Sequence, residues 1–379
     1  MSISLTEKQY HMLSQLAYLD FTDKFDFGGR YQGRTLGEIA IELLAPDPTT
    51  GQQRVFDGRG GLTNSDFHSL LESVAYGDPV ANNPEEPGIH PIEYSGNNSE
   101  LRNLVLTGFE NKNTSTGFVA YAYKDIGSEE TLFAFRGSES APAEGSGLID
   151  WFDNIIGYGV VDHSYQFEDV KDFVNMYKSS GQIYVTGHSK GGANAAYACA
   201  EIDGVTGVAF DAPGIGQTLD SIQATRLSES GLINCIAQGH IVGPVLFHPE
   251  ATKFCQQWDE FFAEGEIKGA KLQDGHYNQA LKFDENGNTI AGYRTETSVL
   301  FENMTKVLWY AKEDTVTVLS DGIDNFSSNI NKYINSIEDI DADGVDASDF
   351  LRWYKDQLNT VYREIIGKPL YEFGERITC

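Results

Sequence analysis

The sequence contains one serine in a setting that could make it a nucleophile. Residues 185–192 read VTGHSKGG, which places Ser189 in the pattern G-x-S-x-G. Such a pattern turns the chain sharply between a strand and a helix and exposes the serine hydroxyl for attack on an acyl carbonyl. The pattern is short enough to occur by chance, so its flanking residues decide its meaning.

The flanking residues favour a working nucleophile over a turn that only resembles one. An apolar run, QIYVT (182–186), precedes the motif and is typical of a strand, while the small residues GGANAAYACA (191–200) that follow are typical of a helix. Side chains at Gly187 or Gly191 would collide where strand and helix pack closely. The helix N-terminus would also direct backbone N–H groups towards Ser189. The first of these groups belongs to Lys190, and we expect it to hold the oxyanion that forms during acyl transfer.

A serine nucleophile needs a general base, for which histidine is suited because imidazole titrates near neutral pH. His240, His248 and His276 are the histidines that follow Ser189, and in a strand–turn–helix hydrolase the chain order is serine, acid, histidine. We prefer His276, which lies in a loop after the last main strand and before a hairpin. His248 and His240 remain alternatives.

The elements that must position these residues alternate between strand and helix. This alternation predicts a mostly parallel central sheet flanked by helices, an α/β fold. An N-terminal helix is expected over residues 4–20, where Thr6 and Gln9 have capping-box spacing, and a hairpin about Asn286-Gly287 is expected near a sheet edge. The other predicted strands are 117–123, 131–135, 182–186, 205–210 and 232–237, and the other predicted helices are 36–44, 66–76, 165–178, 192–202 and 217–227.

Further segments resemble a known family. FRGS (135–138) and DWFDN (150–154) precede the serine motif, and VAFDAPG (208–214) follows it. Together with the motif they resemble the class 3, fungal-type lipases of the α/β-hydrolase fold. Two segments, 13–20 (LSQLAYLD) and 241–248 (IVGPVLFH), are similar to a bacterial branch of lipase-like proteins. The resemblance implies an α/β-hydrolase fold and assigns the second oxyanion donor to Ser138.

The sequence departs from the lipase pattern at the acid of the triad. Class 3 lipases place an aspartate immediately before an Ile/Val-Val-Pro segment, and the matching residue here is His240. We expect Asp211 to be the acid instead, because it ends the strand that follows the nucleophile strand. Asp220, Asp259 and Asp274 are alternatives, and the other role open to Asp211 is to cap the turn at Pro213-Gly214.

The chain is interpreted as two parts. Residues 1–297 would form the α/β-hydrolase domain, including the N-terminal helix, and residues 298–379 a helical C-terminal segment or small domain. The segment 339–349 begins like a calcium-binding loop, but Phe350 stands where the last ligand is needed. A shortened loop could still bind calcium weakly, but we interpret the segment as an acidic helix-capping loop and predict no metal site.

The segment between Ser138 and Asn154 has two interpretations. Its Gly/Ser-rich part resembles a hinge, and the cluster Leu148, Ile149, Trp151 and Phe152 is apolar. It could form a lid that opens on lipid, or these residues could begin a buried helix.

Composition limits the partners and the location. The chain of 379 residues has 27 Lys and Arg against 56 Asp and Glu, a formal net charge of −29, and such a field repels nucleic acids. No basic stretch followed by an apolar core begins the chain, and no run of about 18 apolar residues occurs, so neither a cleavable signal peptide nor a membrane-spanning helix is expected. We expect a soluble protein, cytoplasmic or exported by a signal-independent route. In the second case it would be a secreted effector or toxin with a dedicated protein partner.

These observations predict a serine carboxylic-ester hydrolase of the lipase or phospholipase A class, with an acyl-enzyme on Ser189. Its substrate would be a lipid or phospholipid, met at a membrane surface; the lipid part follows from the resemblance. This chemistry requires no metal or organic cofactor. The alternatives are an acyltransferase or thioesterase with the same nucleophile, and a catalytically silent lipase-like binding module, which His240 at the acid position favours.

Overall fold

The computed structural model describes most of the part of the chain that was predicted to form the α/β domain. The predicted lid, almost all of the predicted C-terminal segment and the acidic loop 339–349 lie outside the described residues, and these interpretations stay predictions. The described residues are 3–19, 21, 29–56, 62–77, 98–112, 115–137, 165–238, 240, 242–258, 281–295, 298 and 302.

Within these residues one sheet of seven strands forms the centre of the protein, and its spatial order equals the chain order. The first three strands are antiparallel neighbours, and the last five run parallel to one another. The carboxyl ends of the parallel strands therefore meet at one edge, where ligands bind in open α/β sheets. The strands are β1 Leu104–Lys112, β2 Phe118–Asp125, β3 Thr131–Phe135, β4 Ile183–His188, β5 Val205–Phe210, β6 Ile233–Ala237 and β7 Ala251–Cys255.

Helices cover both faces of the sheet, and each face has its own apolar core. The alternation in β2 shows why: Tyr121 and Tyr123 belong to one core, while Ala120 and Ala122 belong to the other. This helix–sheet–helix arrangement around a mostly parallel sheet is the α/β-hydrolase fold. The helices are α1 Glu7–Leu16, α2 Leu36–Leu44, α3 Asn64–Tyr76, α4 Ser99–Arg102, α5 Tyr165–Tyr177, α6 Lys190–Glu201 and α7 Ser221–Glu229.

The predicted helices are present because local signals begin them. Capping boxes at Thr6, Thr35 and Thr63 start α1, α2 and α3. The stretch predicted as one helix over 217–227 is divided into a 3₁₀ turn, Gly216–Thr218, and α7. The division occurs because the Asp220 carboxylate accepts hydrogen bonds from the N–H groups of Ile222 and Gln223, both at 2.8 Å, and so caps a new helix.

The predicted hairpin lies beside β7 and joins the far end of the sheet to α1. Gly287 has a φ of 78°, as its turn requires, and the hairpin forms bridges to Cys255 and Gln257. Glu7 Oε2 accepts hydrogen bonds from both the N–H and the hydroxyl of Thr289, each at 2.6 Å. The N-terminal helix is thereby fixed to the sheet edge.

Two findings concern the cysteines and the lengths of the helices. Cys199, Cys235 and Cys255 are buried free thiols. Among the helices of the described residues, none has both the length and the apolar character needed to cross a membrane.

Tyr123 provides a test of the packing. Its hydroxyl is buried without a hydrogen-bond partner in the described structure, and burying an unpaired hydroxyl costs roughly 1–3 kcal/mol. We expect Tyr123→Phe to raise the free energy of unfolding by about 1 kcal/mol in urea denaturation. Thr131→Val is the contrasting variant, because the Thr131 hydroxyl is 2.7 Å from the Ser179 hydroxyl. That variant should be less stable, and a loss of stability in Tyr123→Phe would show that the Tyr123 hydroxyl stabilises the fold.

Candidate active site

Ser189 lies in a strained turn between β4 and α6, at the carboxyl edge of the parallel strands. Its φ is 58° and its ψ is −126°, a conformation that is rare for residues other than glycine. Its N–H donates to the Phe210 carbonyl at 2.9 Å, and its carbonyl accepts from the N–H of Gly192 at 2.9 Å. Strain of this kind costs about 1–3 kcal/mol and persists only where the surroundings impose it. Here β5 and the first turn of α6 impose it.

The two glycines of the motif are required by close backbone approach. A Cβ atom on Gly187 would overlap the backbone of Gly191, and a Cβ atom on Gly191 would overlap the carbonyl of Phe135. The first turn of α6 therefore lies directly against the ends of β3 and β4. Side chains at either glycine would separate the elements that surround the serine.

Lys190 is the first residue of α6, so its backbone N–H lies at the positive end of the helix dipole. This is the arrangement that binds anions at helix N-termini. Burial lowers the pKa of the Lys190 ammonium group to about 8. The side chain next to the serine is thus held in a partly desolvated setting.

Asp211 follows β5 and is brought to the same edge, one strand away from Ser189. Its φ is 49°, its exposed fraction is 1%, and its Oδ1 accepts a hydrogen bond from the Ala237 N–H at 2.7 Å. Burial raises the pKa of this carboxyl well above its ordinary value. The carboxyl group therefore contacts the end of β6.

His240 contacts this carboxyl group: its Nδ1 is 3.6 Å from Asp211 Oδ1. Nδ1 also accepts hydrogen bonds from the N–H groups of Val242 at 3.2 Å and Gly243 at 2.8 Å. A nitrogen that accepts two N–H groups carries no proton, so the neutral ring has its proton on Nε2. Burial lowers the pKa of His240 well below its ordinary value. A ring in this state has no free lone pair for the serine proton, which argues against His240 as the base.

His248, the other described alternative for the base, has both ring nitrogens engaged. Nδ1 lies 2.8 Å from Glu250 Oε1, and Nε2 lies 3.1 Å from the Val245 carbonyl. Both ring nitrogens of His248 are thus engaged in contacts within the fold. Of the alternative acids, Asp220 serves as the N-cap of α7.

The structure places Ser189, Lys190 and Asp211 at one edge of the sheet, and their catalytic roles stay predictions. His276 and Ser138 lie outside the described residues, as do Asp259 and Asp274, so their roles stay predictions. Sequence reasoning missed the contact between Tyr18 and His188, whose side chains lie 3.1 Å apart. No local signal pointed to this pair, because the two residues are separated by most of the N-terminal half of the chain. In the part that the structure describes, no group of three acidic, histidine or cysteine side chains could hold a metal ion.

The strain at Ser189 can be measured. Glycine adopts a φ of 58° with a ψ of −126° without strain, whereas alanine, like serine, is strained there. Ser189→Gly and Ser189→Ala both lose the hydroxyl, but we expect the glycine variant to have the higher free energy of unfolding, by about 1 kcal/mol. Urea denaturation of the pair measures this difference. An alanine variant at least as stable as the glycine variant would show that the turn is not strained.

Comparison with known proteins gives weak similarity to solved structures. A lipase–propeptide complex from Rhizomucor miehei is 18% identical, with a TM-score of 0.28, over 39% of this chain and 53% of that chain. Lip2 lipase from Yarrowia lipolytica is 17% identical, with a TM-score of 0.29, over 41% of this chain and 66% of that chain. A mutant form of MDLA from Penicillium cyclopium is 11% identical, with a TM-score of 0.30, over 70% of this chain and 84% of that chain. The chain thus spans about half the length of the Rhizomucor protein.

The sequence comparisons give one match. No curated protein sequence matches the chain significantly. A family model described as Mbeg1-like matches residues 97–292, which include all the described strands, the serine motif and the hairpin. Because this match covers more than half of the 379 residues, the protein belongs to the Mbeg1-like family.

Proposed function

We propose that the protein is a serine carboxylic-ester hydrolase that acts on lipid esters through an acyl-enzyme on Ser189. The observation that carries the proposal is the strained turn at Ser189, held between a parallel strand and a helix N-terminus. A protein maintains a costly conformation of this kind where function depends on it. The lipid part of the proposal, of the lipase or phospholipase A type, is supported by the resemblance of the motifs to class 3 lipases.

The proposed reaction has two stages. Ser189 Oγ attacks the acyl carbonyl carbon while His276 takes the hydroxyl proton, and the backbone N–H groups of Lys190 and Ser138 bind the oxyanion. The tetrahedral intermediate expels the alcohol, which receives the proton from His276. Water then attacks the acyl-enzyme by the same route and releases the fatty acid. The roles of His276 and Ser138 rest on the sequence.

Asp211 is the proposed acid that orients His276. Three observations support this role: its position at the end of the strand next to the nucleophile strand, its burial, and the Ala237 N–H that holds Oδ1. Burial favours the neutral carboxyl, but an imidazolium that forms beside it favours the carboxylate. The ion pair between Asp211 and His276 is thus strongest after His276 has taken the proton of the serine.

His240 occupies the position at which class 3 lipases carry the acid, and its contacts account for a turn without a carboxylate there. Its Nδ1 accepts the N–H groups of Val242 and Gly243, which are bonds that a carboxylate oxygen would also accept. A neutral ring therefore maintains the local turn without a second buried carboxylate beside Asp211. Two carboxylates so close would repel each other and raise each other's pKa.

The first test is hydrolysis of short- and long-chain p-nitrophenyl esters and of a fluorogenic phospholipid. We expect Ser189→Ala to lower kcat/KM by a factor of about 1,000 or more, because the acyl-enzyme cannot form. Ser228→Ala is the matched control, since that serine is exposed on α7 and donates only to the Thr225 carbonyl. Wild-type protein that is folded but as inactive as Ser189→Ala would reject the hydrolase and support the silent binding module.

The second test concerns the acid. Asp211→Asn keeps the acceptor for the Ala237 N–H but removes the charge, and we expect kcat to fall by a factor of about 1,000 to 10,000. Adding His240→Asp to this variant should restore part of the loss, because the new carboxylate would take over the Val242 and Gly243 N–H groups at the lipase position. Asp220→Asn, which retains a good helix cap, should keep wild-type activity. Full activity in Asp211→Asn would exclude Asp211 as the acid.

A further inference from the structure

A buried tyrosine contacts the residue that precedes the serine. Tyr18 lies just after α1, and its exposed fraction is 1%. Its hydroxyl is 3.1 Å from Nδ1 of His188, the last residue of β4. The two rings are also in contact, with their centroids 6.0 Å apart. The tyrosine therefore reaches the elbow from the α1 side of the sheet.

The same hydroxyl touches the chain that leaves β3. A Cβ atom built on Gly137 would overlap both the Tyr18 hydroxyl and the His188 carbonyl, so only glycine permits this approach. Burial raises the pKa of Tyr18, while the Arg136 guanidinium and the Gly137 backbone N–H act in the opposite direction. The Tyr18 hydroxyl therefore lies between the Gly137 backbone and Nδ1 of His188.

Tyr18 is itself held firmly. Its N–H donates to the Gln15 carbonyl at 3.0 Å, which closes the turn after α1. The Thr186 hydroxyl on β4 donates to the Tyr10 carbonyl at 3.1 Å and joins α1 to the nucleophile strand. A side chain fixed in this way can set the position of the two backbones that it contacts.

We propose that Tyr18 is a positioning residue that sets the separation between the backbone after β3 and the nucleophile elbow. The inference rests on the proposed hydrolase function, in which the donors to the oxyanion come from these two backbones. Gly137 directly precedes Ser138, and His188 directly precedes Ser189 and Lys190. Tyr18 makes no contact with substrate in this scheme. Its hydroxyl acts through Gly137 and His188.

The test compares Tyr18→Phe with Tyr123→Phe in the ester assay. Each variant removes one buried tyrosine hydroxyl, but the Tyr123 hydroxyl has no hydrogen-bond partner in the described structure and lies in the middle of β2. We expect Tyr18→Phe to lower kcat by a factor of about 10 to 100 with KM changed less than about threefold, because the donors are misplaced only for the transition state. Tyr123→Phe should keep the wild-type kcat.

Two further readouts separate positioning from general stability. Inactivation by a fluorophosphonate forms a tetrahedral adduct at the serine, so its rate constant should fall in parallel with kcat/KM in Tyr18→Phe. His188→Leu removes the same hydrogen bond from the other side, and the double variant should lose no more activity than the worse single variant. Thermal unfolding of each protein shows that the fold is intact.

The outcomes are distinguishable. Wild-type kcat in Tyr18→Phe, with only a lower unfolding temperature, would overturn the positioning role and leave the hydrolase standing. Additive losses in the double variant would also overturn it. A wild-type protein that neither hydrolyses esters nor reacts with the fluorophosphonate would overturn the hydrolase, and the inference about Tyr18 with it.

Discussion

The site depends on a close approach of three backbones at the carboxyl edge of the sheet. Gly191 lies against the carbonyl of Phe135, and the Ser189 N–H donates to the carbonyl of Phe210. These contacts require β3, β4 and β5 to lie side by side and parallel, and they hold Ser189 in a conformation that it would not adopt alone. The packing of these strands thus maintains the strained turn that carries Ser189.

The polar groups beside the serine are buried, and backbone N–H groups orient them. Asp211 takes the N–H of Ala237, while His240 takes those of Val242 and Gly243. Both residues are almost without contact with solvent. Buried polar groups are stable only when they are paired in this way. A carboxyl group and a neutral imidazole can therefore lie together without two adjacent charges.

The N-terminal helix contributes to the site although it is remote in sequence. Its first turn is fixed to the hairpin through Glu7 and Thr289, and its middle is fixed to β4 through Tyr10 and Thr186. The turn after the helix then places Tyr18 against the elbow. The helix α1 thus covers an apolar core, and the turn that follows it contacts the backbone that carries the serine.

Local patterns in the sequence were enough to predict most of the helices and strands. Capping boxes, the alternation of β-strand residues and the small residues after Ser189 act over a few positions, so six of the seven described helices, five of the seven described strands and the elbow followed from them. The two strands that were missed, β1 and β7, lack a buried apolar run; β7 is partly exposed at its start and β1 carries a bulge. The burial of His240 beside Asp211 and the contact of Tyr18 with Gly137 were decided only by tertiary structure. They depend on atoms from distant parts of the chain, whose meeting is set by packing of the whole sheet and not by any local preference.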